Sequence, residues 1–280
     1  MKRHILFPAA AVVLGAAGCA VRLWERSSAY DPLSGLTTVA APSAVVLLVL
    51  TAAAVAAAFV LARQKHRSFS GGYDEAFYAP NAGYPVLILL SAVALLAAGI
   101  LAFLTYRADL ALFADGYLKT RPPIILPLLT VLAILSALCL FPIAQNGYRG
   151  RGKGKRSALL LAPAFLCCIW LVASYLEESG NPDMMSFVFG RMAAVTVTLA
   201  LYYVASFSFE KAKPGRLIFF SVTGIFFSFV SLCDTGAWYL KLMSLFSILY
   251  LTAQLSALSW NDGEAHFPHS TTPEVTTDEP

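Results

Sequence analysis

A row of polar side chains on one late apolar segment is the strongest chemical feature of this sequence. Arg191, Thr198, Tyr202 and Ser206 follow one another at intervals of seven, four and four residues. On an α-helix, which turns through about 100° per residue, they share one face. If that helix crosses a membrane, the row forms a polar stripe, and such a stripe could line the path of a solute.

Similar polar rows occur on the next two segments. The first contains Ser221, Gly224, Ser228, Ser231 and Thr235, and the second contains Lys241, Ser244, Ser247 and Gln254. Small residues at this spacing let helix backbones approach closely, and their hydroxyls bond across the contact. Two interpretations stay open, close helix packing or a polar pathway. The candidate pathway residues are Arg191, Thr198, Tyr202, Ser206, Ser228, Ser231, Lys241 and Gln254.

Two of these candidates, Arg191 and Lys241, are cations that lie about one turn inside their segments. The nearby connections carry the carboxylates of Glu177, Glu178, Asp183 and Asp234. These charges could form a pocket at one membrane face, or the long cationic side chains could extend to the interface instead. A membrane-embedded enzyme that uses one of the first three carboxylates is a further alternative.

Motifs for metal, redox or nucleotide chemistry are missing from the sequence. There is no His-Glu-x-x-His, no Cys-x-x-Cys and no Walker-type phosphate loop. The basic run at 150–156 lacks the strand-to-helix context of a phosphate loop and is typical of a cytoplasmic loop. No acid or histidine lies at the centre of an apolar segment, which disfavours a proton-driven pump. We therefore expect no catalytic residue, no cofactor and no metal ion.

The composition shows which elements must position the polar rows. The 280 residues are 58% hydrophobic and 13% charged, whereas about a quarter of the residues of a soluble domain are charged. Apolar runs of about 18 residues or more can cross the hydrocarbon layer as helices, which satisfy their own backbone groups. The sequence predicts an all-α transmembrane bundle over 1–260. Its eight spans are expected at about 5–21, 42–61, 85–105, 124–144, 158–176, 187–209, 217–232 and 238–258.

The basic residues predict the orientation of these spans. If both termini are cytoplasmic, thirteen of the twenty Lys and Arg residues fall in cytoplasmic segments and five in the outer connections. Such an excess marks the cytoplasmic side. The formal charge of +4 thus comes from basic clusters in the loops between apolar runs. For this reason we expect no nucleic-acid partner.

The first span and the cysteines leave an alternative open. The segment Ala16 to Cys19 resembles a bacterial lipobox, so processing and lipidation at Cys19 compete with a retained span. All five cysteines lie in or beside apolar runs. We expect them to be small buried side chains and not a disulfide framework.

Two other segments differ from the spans in pattern. In the connection 107–121, Leu110, Phe113 and Tyr117 recur at helical spacing, so the sequence predicts either a short interfacial helix or an exposed loop. Residues 261–280 are polar and acidic, and we expect a disordered cytoplasmic tail.

Four stretches of the chain resemble polytopic, about eight-span bacterial membrane proteins that have no assigned activity. The stretches are Met1 to Pro8, Arg22-Leu23-Trp24, Tyr30-Asp31-Pro32 and Phe209-Glu210-Lys211-Ala212-Lys213-Pro214. The resemblance implies a bacterial inner-membrane location and assigns no site residue.

From the sequence we expect a non-enzymatic structural, sensory or partner-dependent membrane component. Its expected partners are the lipid bilayer and either another membrane protein or a second copy of this chain. The alternative is a small-solute transporter whose pathway runs between spans six, seven and eight.

Overall fold

The computed structural model describes residues 3–29, 41–69, 71–116, 122, 124–149, 157–178, 187–209 and 211–263. Eight of the helices in these ranges are long and apolar enough to cross a membrane, and the described residues contain no strand, which confirms an all-α multi-pass architecture. The helices are α1 (Arg3–Ser28), α2 (Pro42–Ala62), the short α3 (Gly72–Ala76), α4 (Gly83–Ala114), α5 (Ile125–Arg149), α6 (Ser157–Glu178), α7 (Val188–Ser206), α8 (Pro214–Leu232) and α9 (Trp238–Gly263).

Helix α9 lies at the centre of the bundle. Helices α4, α5, α6, α7, α8 and α1 follow one another around it, each packed against the next, and α2 lies outside against α1 and α8. The most apolar window of α9 is 72% buried, whereas that of α2 is 17% buried. Because the outer faces carry exposed Leu, Val, Ile and Phe side chains, they suit contact with lipid.

Successive spans run in opposite directions, so the bundle has two distinct ends. At the terminal end, where α1 begins and α9 ends, His66 contacts Asp262 at 2.8 Å. At the opposite end, where α1 ends and α9 begins, Cys19 approaches Cys233.

Glycines allow the closest helix contacts. A Cβ added to Gly18 of α1 would lie 2.8 Å from side-chain carbons of Phe226 and Val230 on α8. A Cβ added to Gly99 of α4 would lie 3.1 Å from Ala133 on α5. Small residues at these positions therefore let the helix pairs pack at a distance that larger side chains would prevent.

The ring around α9 is open between α1 and α4. The described parts of these two helices make little contact with each other, although both pack against α9. A cavity of about 860 Å³ fills the gap at the terminal end, with Pro8 and Val12 of α1, Leu87 of α4 and Thr252 of α9 among its lining residues. The centre of the bundle is thus reached from the side between these two helices.

Two predicted elements differ from the structure. Helix α1 continues to Ser28, so Arg22 and Glu25 lie within the helix and not in a connection as predicted. Helix α4 continues to Ala114, so the first part of the predicted interfacial helix extends this span. Tyr117 and residues 264–280 of the predicted tail lie outside the described residues.

Candidate functional site

An arginine at the opposite end joins two carboxylates. Arg22 of α1 donates from Nε to Asp234 Oδ1 at 2.9 Å and from Nη1 to Glu25 Oε2 at 2.6 Å. The Arg22 guanidinium also lies 5.1 Å from the centre of the Phe189 ring. Only 2% of Arg22 is exposed. Buried charges of this kind are stable when they are paired and hydrogen-bonded, as they are here.

Asp234, in the connection between α8 and α9, borders a small cavity. Burial raises the pKa of Asp234 to about 6, although Arg22 acts in the opposite direction. The cavity has a volume of about 30 Å³, which is room for about two water molecules. Within the described part of the chain, Asp234 Oδ2 has no hydrogen-bond partner. Water in this cavity would satisfy that oxygen.

Two of the predicted pathway residues line the same cavity. Ser231 and Lys241 border it beside Asp234. Ser231 Oγ lies 2.8 Å from Ser244 Oγ, which joins α8 to α9, and the Lys241 ammonium lies 4.7 Å from the Trp238 ring centre. Arg191 is placed over the Tyr175 ring at 5.7 Å. Asp234 is thus paired with Arg22, and an aromatic ring lies beside each of the two predicted cations.

One pair of cysteines departs from the expectation that all five are small buried side chains outside any disulfide framework. Cys19 of α1 is joined to Cys233, which follows α8, with Cα atoms 6.2 Å apart, a separation that a disulfide spans. Arg26 donates to the Cys233 carbonyl beside this bond. Cys139 and Cys167 are buried free thiols, as expected, and Cys168 is exposed. A distant pairing of this kind has no signal in the sequence, because 214 positions separate the two residues.

The polar row on α7 does not face the centre of the bundle. The buried face of α7 consists of Ala and Val or Leu side chains, such as Ala194 and Val197. The predicted row lies beside that face, and its Tyr202 is 58% exposed. The Thr198 and Ser206 hydroxyls donate to backbone carbonyls of their own helix. These hydroxyls are therefore satisfied locally.

Gln254 belongs to a separate buried cluster at the terminal end. Its Nε2 donates to the Tyr73 hydroxyl at 3.3 Å, and that hydroxyl lies 3.4 Å from the Tyr84 hydroxyl. Ser228 is fully buried on α8 between the two clusters, and its hydroxyl has no partner among the described residues. The predicted pathway residues are thus divided between two ends and one outer face.

The connection that contains α3 is fixed to the end of α9. Asn261 Nδ2 donates to the carbonyls of Ala76 at 3.0 Å and Tyr78 at 2.7 Å. His66 Nδ1 lies 2.8 Å from Asp262 Oδ2, and this hydrogen bond is the largest of the effects that raise the pKa of His66. These contacts hold the connection against the bundle.

The sequence did not identify Arg22, Glu25 and Asp234 as a cluster. Arg22 and Glu25 are three positions apart, a spacing that places them on one helix face and could have indicated an ion pair. The predicted span ends at residue 21, so the sequence does not place these two residues on a helix. Asp183 lies outside the described residues, as do the side chains of Glu177 and Glu178.

No known protein family, curated protein or solved structure matches the chain.

Proposed function

We propose that this protein is a non-enzymatic component of the cell membrane with a structural, sensory or partner-dependent role. The observation that carries the proposal is the division of the polar residues on α9. Ser244 bonds to α8 at one end, while Gln254 bonds to Tyr73 and Tyr84 near the other. Gln254 follows Ser244 by ten positions, which corresponds to about 15 Å of helix. Polar groups used in this way fix the positions of helices and do not form a continuous path.

We also propose that the terminal end faces the cytoplasm, so that both termini are cytoplasmic. The connections assigned to this end carry most of the Lys and Arg residues, as cytoplasmic segments do. The disulfide between Cys19 and Cys233 lies at the opposite end. Since disulfides persist in oxidising compartments, its position supports the same orientation. The sequence resemblance favours a bacterial inner membrane.

A partner would bind on the lipid-facing surface of the bundle. Helix α2 is packed on only one side, against α1 and α8, and its Leu48 and Val60 are more than 60% exposed. Another membrane protein or a second copy of this chain could cover this face in place of lipid. Contacts of this kind are driven by van der Waals packing between apolar helix faces.

A small-solute transporter is the second candidate. The observation in its favour is the cavity of about 30 Å³ at the opposite end, where Ser231 and Lys241 lie beside Asp234 and Gly190. These residues come from α7, α8, the connection after α8 and the start of α9. A pathway between the three helices would begin there.

Solute permeation and thermal unfolding together distinguish the two candidates. Purified protein is placed in liposomes, and the entry of glycerol and of urea is followed by stopped-flow light scattering. We expect both solutes to enter these liposomes at the same rates as they enter protein-free liposomes. The double variant Ser231→Ala/Ser244→Ala should unfold at a lower temperature because it loses the hydrogen bond between α8 and α9. The variant Tyr202→Phe, at an exposed position, should unfold at the wild-type temperature.

The transporter would be supported if solute entered the liposomes faster than it enters protein-free liposomes. Lys241→Gln should then abolish this faster entry without changing the unfolding temperature.

A further inference from the structure

Three cations surround an apolar cavity at the terminal end of the bundle. The cavity has a volume of about 640 Å³ and lies between the last turn of α2, the end of α7 and the first turns of α8. Arg63, Lys213 and Arg216 line it, and none of the lining residues in the described part of the chain is acidic. A site with this charge is complementary to an anion.

Aromatic rings hold two of the cations in place. The Arg63 guanidinium lies 4.4 Å from the centre of the Phe59 ring, and Arg216 Nη1 donates to the Tyr203 hydroxyl at 3.2 Å. Cation–π contacts and hydrogen bonds of this kind orient a side chain without neutralising its charge. The cations are therefore positioned and remain available to an anionic ligand.

The walls of the cavity are apolar. Phe219 and Phe220 of α8 line it with Phe59, and the Tyr203 ring stacks on Phe220 with centres 5.6 Å apart. In the last turn of α2, Phe59 and Val60 are exposed, so the apolar surface continues beyond the cavity. A ligand that fits this surface has an anionic part for the cations and an apolar part for the rings.

The position of the cavity matches the depth of a lipid head group. Arg63 directly follows α2, and Lys213 directly precedes α8, so the cations lie where two apolar spans leave the membrane. Gly215 and Arg216, in the first turn of α8, have backbone N–H groups that lack partners within the helix and add positive potential on the same side. Basic pockets between helices at this depth suit anionic phospholipids.

We propose that this cavity, formed by Phe59, Arg63, Tyr203, Lys213, Arg216 and Phe220, is a binding site for one anionic phospholipid. The phosphate of the lipid contacts the three cations, and an acyl chain lies against the aromatic rings. This inference goes beyond the proposed function and does not depend on which side of the membrane the terminal end faces.

Native mass spectrometry of the purified protein in detergent tests the site. Dioleoyl phosphatidylglycerol is titrated, with dioleoyl phosphatidylcholine as the neutral lipid that has the same chains. We expect one phosphatidylglycerol to bind more tightly than phosphatidylcholine. Since each cation near the surface contributes about five-fold in affinity, Arg63→Gln/Lys213→Gln/Arg216→Gln should weaken binding by roughly 100-fold, and Arg63→Gln alone by about five-fold.

A charge-matched variant provides the control. Lys65→Gln/Arg149→Gln/Lys211→Gln also removes three exposed cations that lie at the terminal end, but none of them lines the cavity. This variant should keep most of the affinity. If both triple variants lose phosphatidylglycerol equally, or if the two lipids bind the wild type equally, the proposed site is wrong.

Inorganic phosphate separates a lipid site from a phosphate site. Millimolar phosphate should not displace phosphatidylglycerol, because it cannot occupy the apolar walls. Displacement would overturn the lipid assignment. Should the triple variant fail to fold, the five-fold loss in Arg63→Gln decides the question, since Arg63 is exposed and its removal leaves the helix contacts intact.

Discussion

Arg22 is a buried arginine whose charge is balanced by two carboxylates. It is 2% exposed and forms ion pairs with Glu25 and Asp234. Removing one partner of a buried pair leaves an uncompensated charge, which costs about 3–5 kcal/mol. For Arg22 the loss would leave two carboxylates facing each other, whereas for Asp234 it would leave Arg22 still paired with Glu25.

We therefore expect Arg22→Met to lower the stability of the protein far more than Asp234→Asn does. Burial already disfavours the charged form of Asp234, so asparagine removes an unfavourable charge and can keep a hydrogen bond to Arg22. Thermal unfolding of both variants in mild detergent measures the difference. Equal destabilisation would show that the pairing with Glu25 contributes nothing.

His66 makes the terminal end sensitive to pH. Its pKa is raised, mainly by the hydrogen bond to Asp262, and the nearby backbone N–H of Arg67 also donates to Asp262. A raised pKa means that this contribution to stability is complete below the unfolded pKa of about 6.5 and is lost as pH rises through the folded value.

We expect the unfolding temperature of the wild type to fall as pH rises above about 6.5, with a smaller change in His66→Gln. Glutamine keeps a donor for Asp262 but does not titrate in this range. Unfolding temperatures measured from pH 6 to pH 8.5 check this; parallel curves for the two proteins would contradict it.

The residues of the polar contacts could be predicted only in part from the sequence. Ser231, Lys241 and Gln254 were identified because helical spacing reveals which side chains share a face. The contacts of Ser231 with Ser244 and of Gln254 with Tyr73 were not predictable, because the packing of separate helices brings these residues together. Tyr202 shares its helix face with Thr198, but the periodicity of a polar row does not say whether that face points to a neighbour or to lipid.

At the scale of elements, the contact between α1 and α8 depends on small residues. Gly18 lies against Phe226 and Val230, which a Cβ would approach to 2.8 Å. The adjacent Ala17 is exposed on the outer side of α1. These neighbours provide a matched pair in which the same substitution meets a helix at one position and lipid at the other.

Gly18→Leu should destabilise the bundle by about 1–3 kcal/mol, since the side chain has to displace two packed residues. Ala17→Leu should change stability by less than about 0.5 kcal/mol. The stabilities of the two variants are compared by thermal unfolding, after equal expression in the membrane fraction has been verified. A similar loss in both would mean that α1 and α8 are not in close contact.

The existence of each span was predictable because apolar runs must cross the hydrocarbon layer, but several boundaries were not. Helix α1 extends past Arg22 because the charges of Glu25 and Asp234 stabilise that side chain inside the protein. Helix α4 continues past Arg107 as an exposed helix. A prediction from hydropathy alone ends a span at the first charged residue. It therefore places the carboxyl-terminal ends of α1 and α4 too early.

At the scale of the molecule, the disulfide joins the first span to the connection before the last. Reduction should lower the stability of the wild type by about 2–4 kcal/mol, with no effect on Cys19→Ala/Cys233→Ala. Unfolding with and without a reducing agent tests this, and peptide mapping by mass spectrometry under non-reducing conditions detects the bond. Free thiols at both positions in oxidised protein would contradict the pairing.

The arrangement of the helices was beyond the sequence. The hydrophobicity of α9 does not distinguish it from α2 as the central helix, because both are apolar enough to span the membrane. Its place follows from contacts with α1, α4 and α8 that form only in the folded bundle. The small and polar residues of α9 were the one available sign of a buried position.

Thiol labelling of one site at each end tests the central claim, an eight-span bundle whose terminal end is cytoplasmic. Ser68→Cys at the terminal end and Ala114→Cys at the opposite end are both exposed. In a background that lacks Cys139, Cys167 and Cys168, a membrane-impermeant maleimide should label Ala114→Cys in intact cells and Ser68→Cys only after permeabilisation. Labelling of Ser68→Cys in intact cells, or of both sites from one side, would contradict the account.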